Sequence, residues 1–403
     1  MMRAEEHGLP PRRLLLLLWI AVWSAYGLWA WRAGVHTGVD TTLHSRWADS
    51  LIAHGFNVSS FLREQDFYIP PFLYLGWIIV VAGMKSVLGA SWMPAVVFLN
   101  WLSFGVGSYG VLNAVRRTTA SAAGLLLAVS LFIVAGDLLI FIPFVVSDLI
   151  FWGIASITLV AGCRLATAEP NDDGAMPIAV LGSMLVLFAL VFRPSAPPLL
   201  VFWIVALASS FARGPFDRFA TAIIATAAVL ALVAIAWHAA IVIDPGAWPF
   251  RRLPEIFTVL GKEYRAGVLL VISTDSTLAV EPAVTWLGAM RLTAQKVLYF
   301  LTPWLPWYSR VHTLINLTFF LPAYGLTIAA MMNRDRLATA QRRAVTVLIV
   351  FVFSVVVFHA LLQLDYDHRY RLPLLPALIM LAAIGLESVR RQQRFVSLPR
   401  GAS

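Results

Sequence analysis

PPFLYLGWIIVVAGMKSVLGA, residues 70–90, is the stretch on which the fold turns. It is long and apolar enough to cross a bilayer, since a spanning helix needs about 20 apolar residues. If it crosses, every later helix is inverted and Arg116–Arg117 lie outside. If it stays at the surface, those arginines fall on the same side as Arg3, Arg12 and Arg13 at the N-terminus and Arg390, Arg391 and Arg394 near the C-terminus. Basic residues mark the cytoplasmic ends of membrane helices. That bias decides for the second reading, with 71–89 held at the outer face.

Composition supports a membrane as the solvent. The 403 residues are 60% hydrophobic and 13% charged, and the mean hydropathy is +0.80. A soluble chain could not cover that much apolar surface. The apolar runs last about 17–25 residues and do not alternate, which predicts helices rather than a barrel. The net charge of +9 is accounted for by cytoplasmic helix ends, so it does not argue for nucleic acid. The single cysteine, Cys163, excludes an intramolecular disulfide and a multi-cysteine zinc cluster. LLLLLWIAVWSAYGLWAW after Arg12–Arg13 is longer than a signal-peptide core and reads as an uncleaved first helix.

Outward from residues 70–90, the spans fall at 13–32, 92–114, 119–142, 148–165, 177–192, 197–212, 219–243, 312–332, 344–363 and 372–388. The expected fold class is an all-α polytopic membrane protein. It is one integral domain over 1–403, a bundle of about ten transmembrane helices with both termini inside. Residues 33–91 form a first periplasmic loop with juxtamembrane helices, and residues 244–310 form a large periplasmic loop.

This topology sends charged residues of both signs to the outer face. They include Asp40, His44, Arg46 and Asp49 from the first loop, Asp148 between two spans, and Arg193 at the tip of FRPSAPP. Glu263, Asp275, Glu281 and several arginines and lysines come from the large loop. Asp365, Asp367, His368, Arg369 and Arg371 come from DYDHRYR at 365–371. A charge at a helix centre costs about 2.5–3.5 kcal/mol, so these groups need water, a cavity or a partner. Outer loops usually lack Arg and Lys. Arginines gathered there suit an anionic ligand, because a guanidinium matches a phosphate with parallel hydrogen bonds.

The motifs, taken in order, resemble the GT-C superfamily of membrane glycosyltransferases. The resemblance is strongest to the bacterial branch of protein mannosyltransferases, aminoarabinose transferase and lipid A galacturonosyltransferases. GVDTTLHSRWADSLIAHGF (38–56) is similar to the stretch after that family's first helix, with Asp40 in the position of the catalytic acid. YIPPFLYLGWIIVVAGMKSVLGAS (68–91) resembles its Pro-Pro segment, with Ile69 where His is common. IPFVVSD (142–148) is similar to a loop that supplies a second carboxylate, here Asp148. FRPSAPP (192–198) resembles a basic-Pro turn and gives Arg193. HRYRLPLLPALIMLAAIGL (368–386) resembles the family's last helix.

The resemblance implies transfer of a sugar from a polyprenyl-phosphate carrier to an acceptor hydroxyl on a glycan, lipid or protein. Transfer would take place with inversion, at the periplasmic face of a bacterial inner membrane. Asp40 would be the general base and Asp148 a second catalytic carboxylate, while Arg193, Arg369 and Arg371 would hold the lipid phosphate. No cofactor is certain. Asp40, His44 and Asp148 leave a divalent metal open, because His44 shares a helical face with Asp40 four residues earlier. Two other readings stay open. A transporter or flippase of lipid-linked sugars would also need an outer cationic cavity, but should show internal repeats or broken spans with midplane polar residues. A polysaccharide polymerase or ligase using lipid-diphosphate donors would need outer arginines too.

Overall fold

The computed structural model describes residues 9–64, 71–168, 174–211, 261–273, 276–306, 308–361 and 368–397. Their regular structure is helical apart from one two-stranded hairpin. The first half contains α1 (Arg12–Ala33), α2 (Val39–Ala53), α3 (Val58–Glu64), α4 (Leu75–Leu88) and α5 (Trp92–Thr119). It continues with α6 (Ala122–Val134), α7 (Gly136–Phe141), α8 (Asp148–Thr167), α9 (Ala175–Phe192) and α10 (Pro197–Phe211). Strands β1 (Val268–Ser273) and β2 (Ser276–Ala279) pair antiparallel. They precede α11 (Trp286–Leu301), α12 (Arg310–Met332), α13 (Thr339–Leu361) and α14 (Leu374–Ser397).

Among the described residues, six runs are long and apolar enough to cross a membrane: α1, the α4–α5 run, α8, α9, α12 and α13. Helices α6 and α10 are apolar but shorter. The expected span at 372–388 is the buried first part of α14, which continues past Arg390 and Arg391 to Ser397. The expected span at 219–243 lies outside the described residues.

In the opening stretch the helix is short and is followed by a turn. Helix α4 has 14 residues, which cover about 21 Å at 1.5 Å per residue. A bilayer core is about 30 Å thick, so α4 alone does not cross. Gly89 then turns the chain at φ 53°, a left-handed conformation that glycine adopts without steric cost. One 3-10 turn leads into α5. Helix α4 packs along α2, and its Trp77, Ile78, Val81 and Ala82 are fully buried.

One expectation is corrected. The single span foreseen at 119–142 is broken at Ala135 into α6 and α7. Tyr26 Oη donates to the Phe132 and Ala135 carbonyls at 2.6 and 3.3 Å, which satisfies groups near the break. The region foreseen as one large loop carries secondary structure of its own, namely the β1–β2 hairpin and α11. The side chain of Thr285 caps α11 by accepting from Gly288 N–H at 3.1 Å.

The bundle is tied by small residues and by aromatic side chains that donate to helix carbonyls. Trp23 and Trp101 stack at 4.3 Å and exchange indole-to-carbonyl bonds between α1 and α5 at 3.1 and 2.9 Å. Helices α12 and α14 touch backbone to backbone at Gly385, where an added Cβ would lie 1.9 Å from the Leu326 carbonyl oxygen.

One end of the bundle is basic. Arg116 donates to the Pro10 carbonyl, Gln341 to that of Thr118, and Arg390 to the Ser121 hydroxyl. These bonds place the start of α1, the end of α5 and the starts of α6 and α13 together with the far part of α14. The other ends of these helices, with the α9–α10 turn, carry the mixed charges described next.

Candidate active site

Asp40 lies in the first turn of α2 and Asp148 is the first residue of α8. A backbone clamp holds their two segments together. His36 N–H donates to the Pro143 carbonyl at 2.9 Å, and Val145 N–H donates to the His36 carbonyl at 3.0 Å. Thr41, beside Asp40, donates its hydroxyl to the Val145 carbonyl at 2.9 Å and accepts from Gly38 N–H at 3.0 Å. From within α5, the buried Asn100 amide donates to the Phe144 carbonyl at 2.8 Å and to the Ile142 carbonyl at 3.3 Å. Sequence reading missed Asn100 and Thr41. An Asn inside an otherwise apolar helix was the available signal, because a buried amide needs partners.

Each carboxylate meets an arginine from a distant part of the chain. Arg193, at the end of α9, donates to Asp148 Oδ2 at 2.7 Å and to Ser147 Oγ at 3.2 Å. Both side chains of this pair are buried, at 6% and 3% exposure. Arg369, in the turn before α14, pairs with Asp40 Oδ2. This pair is more open, with Asp40 33% exposed. Burial opposes the Arg193 charge, but the Asp148 carboxylate overrides it and holds the guanidinium above its usual pKa. Asp148 Oδ1 is buried and has no hydrogen-bond donor among the described residues.

His44 and Tyr74 complete the cluster. His44 is 4% exposed, and burial drives its imidazole down to about 4. Asp40 and Asp148 oppose that shift, while Arg193 and Arg369 reinforce it. Trp77 Nε1–H donates to His44 Nδ1 at 3.1 Å. Burial raises the Tyr74 phenol well above its usual pKa, in the fields of Arg193, Tyr370, Asp40 and Arg369. Both groups are therefore neutral at pH 7.

The structure thus brings Asp40, His44, Asp148, Arg193 and Arg369 together. It places Arg371 elsewhere. Arg371 donates to the Thr302 carbonyl at 2.7 Å and to Tyr308 Oη at 3.1 Å, with its guanidinium 5.1 Å from the Phe320 ring centre. It fastens the chain after α11 to α12. Asp365 and Asp367 lie outside the described residues.

The donor set does not suit a metal. Among the described residues no three His, Cys, Asp or Glu side chains converge to hold an ion. Asp40 and Asp148 are each matched to an arginine, and the His44 Nδ1 lone pair already accepts from an indole that can only donate.

A second buried polar group lies on α11. Lys296 of α11 is 1% exposed, with its ammonium 4.3 Å from the Tyr264 ring centre. Burial pushes Lys296 down to about 8 against the pull of Glu263, whose own carboxyl burial raises. One turn along α11, Phe300 stacks on His359, which lies 5.4 Å from the Tyr370 ring. Sequence reading also passed over Asp137, buried in α7 with His312 Nε2 at 3.4 Å.

Among solved structures, the chain is similar to the crystal structure of ArnT from Cupriavidus metallidurans bound to undecaprenyl phosphate. The TM-score is 0.55 at 16% identity, over 95% of this chain and 62% of that one. The fold is that of ArnT. The apo ArnT structure matches with a TM-score of 0.52 at 15% identity, over 93% of this chain and 61% of that one. The chain spans about three-fifths of ArnT's length. No family model and no curated protein matches the sequence.

Proposed function

We propose that this protein is a membrane glycosyltransferase that moves a sugar from a polyprenyl-phosphate carrier to an acceptor hydroxyl, with inversion at the anomeric carbon. The observation that carries this reading is the meeting of Asp40–Arg369 and Asp148–Arg193 at one end of an ArnT-like bundle. The opposite end is basic, so by the charge bias of membrane helices the site faces away from the cytoplasm. In a bacterium that face is the periplasmic side of the inner membrane.

The donor phosphate would enter beside Arg369 and compete with Asp40 for the guanidinium. Released from that pair, the Asp40 carboxylate would accept the proton of the acceptor hydroxyl as its oxygen bonds to the anomeric carbon. The bond from that carbon to the phosphate oxygen breaks, and its electrons remain on the departing polyprenyl phosphate. Arg369 and Arg193 would stabilise the charge that grows there. Asp148 has an oxygen lone pair for a sugar or acceptor hydroxyl, while its other oxygen fixes Arg193. Helix α4, short and lying on α2, would border the carrier's isoprenoid chain. Arg371 would act by fastening the chain between α11 and α12, rather than by touching phosphate.

The test uses purified protein in lipid nanodiscs with a panel of polyprenyl-phosphate sugars. Mass spectrometry follows free polyprenyl phosphate, and NMR gives the anomer of the glycoside formed. Release with inversion supports the proposal. Movement of intact donor across a vesicle membrane without release would favour a flippase, and turnover restricted to lipid diphosphates would favour a polymerase or ligase.

A further inference from the structure

We propose that His44 binds a phosphate oxygen of the lipid carrier through a neutral Nε2–H donor whose tautomer Trp77 fixes. The inference rests on the transfer reading for the identity of the ligand, but its geometry is independent of that reading. An indole nitrogen donates and never accepts. Its bond to His44 Nδ1 therefore makes Nδ1 the acceptor and leaves the proton on Nε2. The two ring nitrogens lie on different sides of the imidazole, so Nε2–H is turned from Trp77. Among the described residues nothing accepts that proton. His44 is nearly enclosed, but its Nε2 is not among the fully buried polar atoms that lack a partner, so a ligand entering beside it can reach that N–H.

His44 stands among the site's charges, in the fields of Asp40, Arg193, Asp148 and Arg369, with Tyr74 at 4.9 Å between ring centres. The two carboxylates and two guanidiniums balance, so an entering phosphate brings the surplus negative charge. Arg193 is already engaged with Asp148 and Ser147. A neutral N–H adds a hydrogen bond to that phosphate without a third cation, which would hold the released carrier more tightly and slow its departure. His44 gives up no proton in this role. The ring is held by Trp77 on one side and by packing against Trp47 and Tyr74, at 5.5 and 4.9 Å, so the donor is positioned before the lipid arrives.

The test is binding of polyprenyl monophosphate, the carrier without its sugar, to protein in nanodiscs. A parallel arm uses inorganic phosphate. His44→Phe should weaken lipid binding about tenfold or more, the value of one hydrogen bond to a charged group. His44→Gln, whose amide N–H reaches to the position of Nε2, should recover most of it. In histidine-labelled protein the His44 Nε2–H resonance should persist from pH 7.5 to 5.5, move when the lipid is added, and divide between tautomers in Trp77→Phe. If inorganic phosphate moves it equally, the site reads the phosphate group alone; if only the lipid does, the tail contributes.

Unchanged binding in folded His44→Phe, or a resonance that the lipid leaves in place, overturns the proposal. So does wild-type protein that binds no polyprenyl phosphate. Lipid binding that depends on His44, without sugar transfer from any donor, would sustain the site while removing the transfer reading. Transfer that proceeds with a carrier affinity indifferent to residue 44 would do the reverse.

Discussion

Removing Arg193 alone should unfold much of what it touches. In Arg193→Met the Asp148 carboxylate, 3% exposed and bonded at 2.7 Å, loses its cationic partner while its other oxygen already lacks a donor among the described residues. Breaking one partner out of a buried pair costs about 3–5 kcal/mol, mostly as the uncompensated charge. Asp148→Leu alone should cost a similar amount by stranding the guanidinium. The double variant removes both charges and replaces them with side chains that tolerate the same pocket, so its stability should return to within about 1–2 kcal/mol of wild type. Unfolding by added ionic detergent in mixed micelles measures all four proteins. The double variant should fold and still fail to turn over donor, which separates support of the fold from chemistry. Single variants within about 1 kcal/mol of wild type, or a double variant as unstable as the two singles added, would refute the argument from a buried, mutually dependent pair.

Other outcomes follow from the same structure. Gly385→Ala places a methyl 1.9 Å from the backbone oxygen of Leu326; α12 and α14 must separate, and a loss of about 1–3 kcal/mol should appear in the same detergent titration. Arg371→Gln should leave carrier affinity near wild type but loosen the 302–308 chain, read as faster proteolysis after α11; a carrier affinity that falls as far as in Arg369→Gln would return Arg371 to the phosphate site. Lys296 has a folded-state pKa of about 8, below its unfolded value of about 10.4. Between those values the unfolded chain holds more protons, so wild-type stability rises with pH there and carries the full penalty below pH 8. Thermal midpoints of wild type and Lys296→Met should therefore shift in favour of wild type from pH 8 to pH 10, and a constant difference would contradict the burial of that charge.

The membrane bundle was legible because lipid leaves few options for a backbone: long apolar runs must be helices, and arginines at their ends orient them. Residues 70–90 needed the second rule, since length alone allowed a span. Asp40, Asp148, Arg193 and Arg369 were legible as charges at helix ends within motifs. Their pairing was not, because Asp40 and Arg369 are 329 residues apart and no local rule joins them. Arg371 was grouped with Arg369 by sequence proximity. In a 3-10 turn of three residues, positions i and i+2 point in different directions, and the 368–371 turn sends the two guanidiniums to different partners. His44 looked like half of a metal pair with Asp40 until Trp77 was seen to occupy its Nδ1. Asp137 escaped notice inside an apolar run, and the 16-residue α11 mixes polar and apolar residues, so it did not stand out as a span within 244–310.

The central claim is that Asp40 takes the acceptor's proton at a site where Arg369 holds the carrier phosphate. Its most direct measurement is sugar transfer by wild type and Asp40→Asn in the same nanodiscs, with carrier binding followed alongside. Asparagine keeps the size and can still accept a hydrogen bond, but it is not a competent base. The account predicts that Asp40→Asn folds, binds polyprenyl phosphate at least as tightly as wild type because Arg369 is no longer shared with a carboxylate, and transfers sugar at least a hundredfold more slowly. Undiminished transfer in Asp40→Asn would contradict it.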